Sequence, residues 1–203
     1  MIPSQDALEN LREGNGRFVS ASSDKNNPGN HPHQFRPLDR QEPFAIILGC
    51  SDSRVPTEIV FDQGIGDLFV IRVAGNIVTT SQTGSIEFAA EQFGIRLVVV
   101  LGHTMCGAIQ ATLEELQNPR EPRSKNLQAI VNCISPSLES LLETDRQENP
   151  ETLLNQAMRR NVENSVNQLQ HQSPILKKQI DEGGLTVVGA EYCVENGVVN
   201  FFD

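Results

Sequence analysis

The sequence predicts an α/β fold, a mostly parallel central sheet flanked by helices. Three observations carry this. Short apolar runs at 44–49 (FAIILG), 68–73 (LFVIRV), 97–102 (LVVVLG) and 185–190 (LTVVGA) show no period-two alternation, as fits strands buried on both faces. Helical patterns separate the runs, and strand–helix–strand order is how parallel strands are joined. The 203 residues suit a single domain, 1–43 as an N-terminal helix and arm and 44–203 as the α/β core. A chain of that size buries a sizeable core without disulfide staples.

The elements follow in order. Ser4–Val19 reads as an amphipathic helix, with Ala7, Leu8, Leu11, Phe18 and Val19 near one face and Ser4 available as its N-cap. Residues 20–43 are polar and rich in Pro and Gly, the texture of an arm or a disordered loop; Phe18 and Phe35 would need cover, and packing on a second subunit is one way to supply it. After the first two strands, Ser81–Phe93 is helical through Ile86, Phe88, Ala89, Ala90 and Phe93. Cys106–Leu116 follows the third strand as a helix, and Leu127–Leu142 is helical around an expected break at Pro136. Leu153–Leu169 carries Leu153, Leu154, Ala157, Met158, Val162, Val166 and Leu169 at three- and four-residue steps. Ser173-Pro174 opens a further helix that Gly183-Gly184 closes. Val198–Phe202 reads as a last edge strand, and 117–126 and 143–151 as loops.

Composition narrows the function. With 16 Lys+Arg against 26 Asp+Glu the formal net charge is −10, which argues against nucleic acid or an anionic membrane surface as a partner. No apolar stretch approaches the roughly 18–20 residues of a membrane span. The start, MIPSQDALEN, lacks the basic-then-apolar order of a secretory signal, so a cytoplasmic location is expected. Four Cys in a reducing compartment invite a metal or catalytic reading. Of these, Cys133 and Cys193 sit in apolar company and read as buried free thiols.

The other two stand at strand ends. Cys50 closes the first buried run, within Cys50-Ser51-Asp52-Ser53-Arg54; His103 and Cys106 close the third, within Gly102-His103-Thr104-Met105-Cys106-Gly107. In an open parallel sheet the reactive site forms beyond the carboxyl ends of the strands. Two thiolates and one imidazole suit Zn²⁺, and three protein ligands leave a fourth tetrahedral position open, the pattern of a catalytic zinc. Two thiolates cancel the dication's charge, so water held there is acidified less than at a neutral site. Asp52, fixed by a bidentate Arg54, is placed to accept the hydroxide proton. Elsewhere, Asp62 and Asp67 near Gly64 and Gly66 read as turn chemistry and Glu114-Glu115 as a solvated helix face.

CSDSRVP at 50–56 together with GHTMCG at 102–107 resembles the β-class carbonic anhydrases, and the likeness continues through FDQGIGDLFVIRVAGN at 61–76 and into the opening helix and arm. The resemblance implies a lyase that hydrates carbon dioxide reversibly to bicarbonate and a proton, by attack of zinc-bound hydroxide. It implies one Zn²⁺ per chain on Cys50, His103 and Cys106, with Asp52 and Arg54 as the catalytic dyad. It also implies a homodimer or dimer of dimers with an exchanged N-terminal arm and active sites at subunit interfaces. Residue by residue, it puts Gln41 on substrate from the partner subunit. It puts Phe69, Ala74 and Phe88 on the apolar CO₂ pocket, and Gly107 on a backbone donor near the bound anion. In some members the counterpart of Asp52 swings onto zinc, a closed form stabilised by a bicarbonate pocket of Trp, Arg and Tyr. Arg72 and Tyr192 match two of those three, but Ile47 stands at the Trp position and the chain has no Trp. The open form, Asp52 paired with Arg54, is therefore expected. His31, His33 and His171 lie outside the motifs, so no proton shuttle is assigned. Three rival readings stay open: hydrolysis of COS or CS₂ on the same scaffold, a silent zinc protein serving an assembly, and dithiol chemistry of metal-free Cys50 and Cys106. Intact Gln41, Asp52 and Arg54 favour CO₂.

Overall fold

A computed structural model describes residues 2–23, 40–119, 124–144 and 149–202. Its sheet has the order β2-β1-β3-β4-β5, with β1 (Ala45–Gly49), β2 (Leu68–Arg72), β3 (Leu97–His103), β4 (Thr186–Tyr192) and β5 (Val199–Phe201). The first three pairings are parallel and only β4–β5 is antiparallel. Every residue of β1 and β3 is buried, which is why their sequences run apolar without alternation.

Successive side chains of these strands feed opposite faces. Ile47, Val99 and Leu101 pack with Ala7, Leu8, Leu11 and Phe61, under α1 (Ser4–Ser23) and the one-turn α2 (Thr57–Val60). Ile46, Leu48, Val98 and Val100 pack with Ile86, Ala89, Met158, Val162 and Leu176 from α3 (Thr80–Gln92), α6 (Pro150–Gln172) and α7 (Pro174–Gly183). A third cluster joins α4 (Gly107–Gln117) and α5 (Lys125–Thr144) to α6 through Ile109, Leu113, Ile134, Leu138 and Leu153, and it also holds Cys50 and Cys106.

α1 is fastened to its own chain. Asn15 Nδ2 donates to the carbonyls of Val60 (3.2 Å) and Gly197 (3.0 Å), its Oδ1 accepts from Val199 N (3.1 Å), and Arg17 pairs with Asp62 at 3.0 Å. The arm expected at 20–43, with His31, His33 and Phe35, lies mostly outside the described residues.

Three expectations need correction. Pro136 does not break α5, because Ile134, Leu138 and Leu141 are buried on both sides of it and carry the helix across. The hydroxyls of Ser135 and Ser137 donate to the carbonyls of Val131 (2.8 Å) and Ile134 (2.6 Å) beside it. The loops at 117–126 and 143–151 are shorter than expected, since α5 begins at Lys125 and ends at Thr144, and α6 begins at Pro150. Cys133 and Cys193 are half-buried, not buried. The turn chemistry holds: Asp67 Oδ2 accepts from Gly64 N at 2.8 Å. Asn149 and Ser173 cap α6 and α7, and Gly184 ends α7 in the left-handed conformation.

Candidate metal centre

The parallel register sets the site. Gly49 pairs with Leu101 on one side and Arg72 on the other, so β1, β2 and β3 end side by side. Cys50 follows β1, His103 is the last residue of β3, and Cys106 is the N-cap of α4. α6 crosses behind them where Gly102 admits it: a Cβ there would lie 2.5 Å from Val162 Cγ2 and 2.7 Å from Met158 Sδ.

Cys50, His103 and Cys106 are all buried, and one donor atom from each lies within 4.8 Å of the others. The two sulfurs are 4.0 Å apart; two thiolates about 2.3 Å from a tetrahedral zinc stand about 3.8 Å apart. His103 Nδ1 donates to the Thr104 carbonyl at 2.9 Å, the only role open to it against an oxygen that accepts only. In the neutral ring that leaves Nε2 as the acceptor, and it is buried with no partner. A buried lone pair without a partner is costly unless a cation takes it. The donor set therefore fits zinc on the structure's own terms. The protonation of the thiols fits as well. The Cys50 thiol is drawn far below its ordinary range, chiefly by the hydrogen bond from Cys106, against burial and with help from Gly75 N, 3.4 Å away. Cys106 moves the opposite way, as donor in that bond and through burial. One thiolate thus stands ready, and the second forms when a cation replaces the shared proton.

Asp52 and Arg54 lie beside this cluster. Arg54 donates from its backbone N and Nε to Asp52 Oδ1 (2.9 and 3.0 Å), and from Nη2 to Oδ2 (2.7 Å). Those bonds hold the Asp52 carboxyl well below the usual carboxylate range, so it is ionised and only accepts. Oδ2 lies 3.9 Å from His103 Nε2.

The remaining expected residues divide between two places. Ala74 lies on a single 3₁₀ turn, Ala74–Asn76, whose Gly75 is the donor to Cys50, and Gly107 opens α4 directly after Cys106. Gln41 instead lines a cleft of about 850 Å³ with Ile2, Phe44, Gln92 and Phe93. Phe93 links that cleft to the other two aromatics, its ring centroid 6.0 Å from Phe69 and 5.8 Å from Phe88. Among the described residues of one chain, Gln41, Phe69 and Phe88 thus gather around Phe93, while the ligands gather at the strand ends.

Arg72 does a job the sequence did not suggest. It donates from Nε to the Cys50 carbonyl (2.9 Å) and from Nη2 to the Asp52 carbonyl, clamping the loop that carries ligand and dyad. Ile47 and Tyr192 are buried in the core, and burial raises the Tyr192 hydroxyl. Asn161 Nδ2 donates to the Gly75 carbonyl at 2.8 Å and Ser165 to that of Asn76 at 3.2 Å, bracing the 3₁₀ turn from α6.

Comparison with known proteins places the chain in a family. A family model described as carbonic anhydrase matches residues 45–199. Carbonic anhydrase 2 of Mycobacterium tuberculosis is 35% identical over 94% of this chain and 89% of its own length. The carbonic anhydrase of Mycolicibacterium smegmatis is 35% identical over 95% and 90%. Among solved structures, the β-carbonic anhydrase CafA of Aspergillus fumigatus superposes with a TM-score of 0.73 at 26% identity, covering 80% of this chain and 76% of that one. A tetrameric β-carbonic anhydrase of Sordaria macrospora shares the fold at a TM-score of 0.74, 23% identity and 97% coverage of both chains. With its matched family model, its relatives and its Cys-His-Cys cluster in agreement, the chain belongs to the carbonic anhydrase family, in the β class.

Proposed function

We infer that Cys50, His103 and Cys106 hold one Zn²⁺ per chain and that Asp52 and Arg54 are the catalytic dyad of a β-class carbonic anhydrase. The enzyme interconverts carbon dioxide and water with bicarbonate and a proton. The observation that carries the assignment is the buried, unpartnered Nε2 of His103, clustered with two cysteine sulfurs and 3.9 Å from an ionised Asp52. Zinc in this set supplies a Lewis acid that lowers the pKa of water toward neutrality.

The chain's own groups do the rest. Asp52 Oδ1 is taken up by two donors of Arg54, while Oδ2 keeps a lone pair free toward the pocket. It therefore would admit a water or hydroxide that has a hydrogen to give, and would orient that hydrogen. Arg54 holds the carboxylate in place and keeps it charged. Asp52 remains on Arg54 at neutral pH, the open form of the site.

The apolar half of the pocket comes from a second copy of the chain in this reading. Gln41, Phe69 and Phe88 surround Phe93 on the β2 edge of the sheet, and Phe88 is 52% exposed although it is a large apolar side chain. Ala74 and Gly107 contribute from the ligand side. A homodimer or dimer of dimers follows; the Sordaria macrospora proteins of the same fold are tetrameric. No helix among the described residues is long and apolar enough to cross a membrane.

Subunit complementation tests this arrangement. A Cys50→Ala chain lacks a ligand but retains its aromatic cluster, and a Gln41→Ala chain has the reverse defect. Mixed and refolded together, the two are expected to hydrate CO₂ faster than the sum of the separate proteins. Strict additivity would place both halves of the site within one chain.

A further inference from the structure

One short turn holds both halves of the centre. The Thr104 carbonyl accepts from His103 Nδ1 at 2.9 Å, and the next carbonyl, that of Met105, accepts from Arg54 Nη2 at 3.1 Å. The ring orientation of the metal ligand and the seat of the dyad arginine therefore depend on the path of two residues. That path is unfavourable on its own: Met105 has φ 55, a left-handed conformation that non-glycine residues adopt at a cost.

What keeps the turn in place lies about ninety residues further along the chain. Thr104 N donates to the Tyr192 carbonyl at 3.0 Å. Thr104 Oγ1 accepts from Val194 N at 3.0 Å and donates to Glu195 Oε2 at 2.7 Å. The hydroxyl thus has both its roles filled, in a side chain that is nearly buried. Glu195 takes a second donor, Cys193 Sγ, at 3.2 Å, which sets the carboxylate on the turn after β4. A hydroxyl-to-carboxylate bond is charge-assisted and stronger than one between neutral partners.

We propose that Glu195, acting through the Thr104 hydroxyl, is a positioning residue for the metal ligand His103 and for Arg54. The Glu195 side chain hydrogen-bonds to Thr104 and Cys193 and, among the described residues, to no metal ligand; beside a direct charge attraction to Arg54, it fixes the turn whose two carbonyls orient His103 and Arg54. The proposal rests on the zinc reading given above.

The test measures zinc affinity by competition with a chromogenic chelator and the visible spectrum of the Co²⁺-substituted protein. The variants are Glu195→Ala, Glu195→Gln, Thr104→Val and Thr104→Ser. Removing a partner that orients a ligand costs about 10- to 100-fold in metal affinity. Glu195→Ala is expected to weaken zinc by about 10-fold and to shift the Co²⁺ bands, with kcat falling more than KM changes. Thr104→Val is expected to lose as much or more. Glu195→Gln and Thr104→Ser, which keep an acceptor and a hydroxyl, are expected to recover most of both. Glu163→Ala, an exposed ion-pair partner of Arg159 and Arg160 on α6, serves as the control and should leave all readouts unchanged. Because Glu195 is exposed on a turn, its Ala variant folds and decides the matter even if Thr104→Val does not. A folded Glu195→Ala protein with wild-type zinc affinity and an unchanged Co²⁺ spectrum overturns the proposal while leaving the zinc reading intact. A wild-type protein that takes up no zinc overturns both.

Discussion

Arg54 grips Asp52 by both carboxylate oxygens, Nε to Oδ1 at 3.0 Å and Nη2 to Oδ2 at 2.7 Å. A fork of this kind fixes the carboxylate's orientation as well as its charge. Asp52→Asn replaces a charged acceptor with an amide whose NH₂ cannot accept. Turnover is expected to fall by about 10²- to 10⁴-fold, the usual worth of a positioned acid–base group, with zinc still at one per chain. Stopped-flow hydration with metal analysis on the same sample checks this; near-normal turnover would remove Asp52 from the mechanism.

The pH dependence of that pair has a definite sign. The folded carboxyl sits below its ordinary value, chiefly because Arg54 donates to it. Such a group contributes stability that is fully present above the unfolded pKa of about 3.9 and is lost as pH falls through the lower, folded value. A dication bound alongside shifts it the same way. The stability difference between wild type and Asp52→Asn, read from urea denaturation, should therefore be flat from pH 5 to 9 and shrink only in stronger acid. Activity should fall below pH 8 no more steeply than a single ionisation, that of the metal-held water, requires. A steep, bicarbonate-cooperative loss there would indicate that Asp52 leaves Arg54 for the metal.

The hydrogen bond between Cys50 and Cys106 lowers the one thiol and raises the other, which favours a pair that holds a single proton before metal arrives. Zinc binding near neutral pH should then release about one proton from the pair, instead of two. Titration calorimetry in buffers of different ionisation enthalpy counts that proton. A release of two would mean that both thiols are protonated beforehand.

Gly75 connects the fold to the site. It has φ 71, its N–H points at Cys50 Sγ, and an added Cβ would lie 2.8 Å from Ile134 Cδ1. Gly75→Ala combines a left-handed non-glycine residue with a clash in the core, a loss of roughly 1–3 kcal/mol. Urea unfolding should show it, and zinc affinity should fall with it because the donor to Cys50 moves. A stability within 0.5 kcal/mol of wild type would count against the constraint.

The strands were legible because β1 and β3 are buried on both faces, which leaves continuous apolar runs such as AIILG and LVVVLG. The ligand cluster was legible for a related reason: Cys50, His103 and Cys106 directly follow or close those runs, and parallel strands end together. The helix Thr57–Val60 and the turn Ala74–Asn76 are too short to show a period, so neither could be read. Pro136 misled because its local preference against a helix interior was outweighed by burial of Ile134 and Leu138. Arg72 looked like part of an anion pocket in the chain, but its side chain reaches the Cys50 carbonyl only because β2 pairs with β1 in the register Arg72 to Gly49. Register over such separations leaves no mark in local sequence, and the same holds for Thr104 and Glu195.

The most direct test of the account is stopped-flow CO₂ hydration by protein of measured zinc content, before and after removal of the metal and with Cys106→Ala alongside. The account predicts turnover proportional to zinc, lost on chelation, restored by Zn²⁺ in the wild type and absent from Cys106→Ala. Hydration that persists in the metal-free protein, or a zinc-loaded wild type that does not hydrate CO₂, would contradict it.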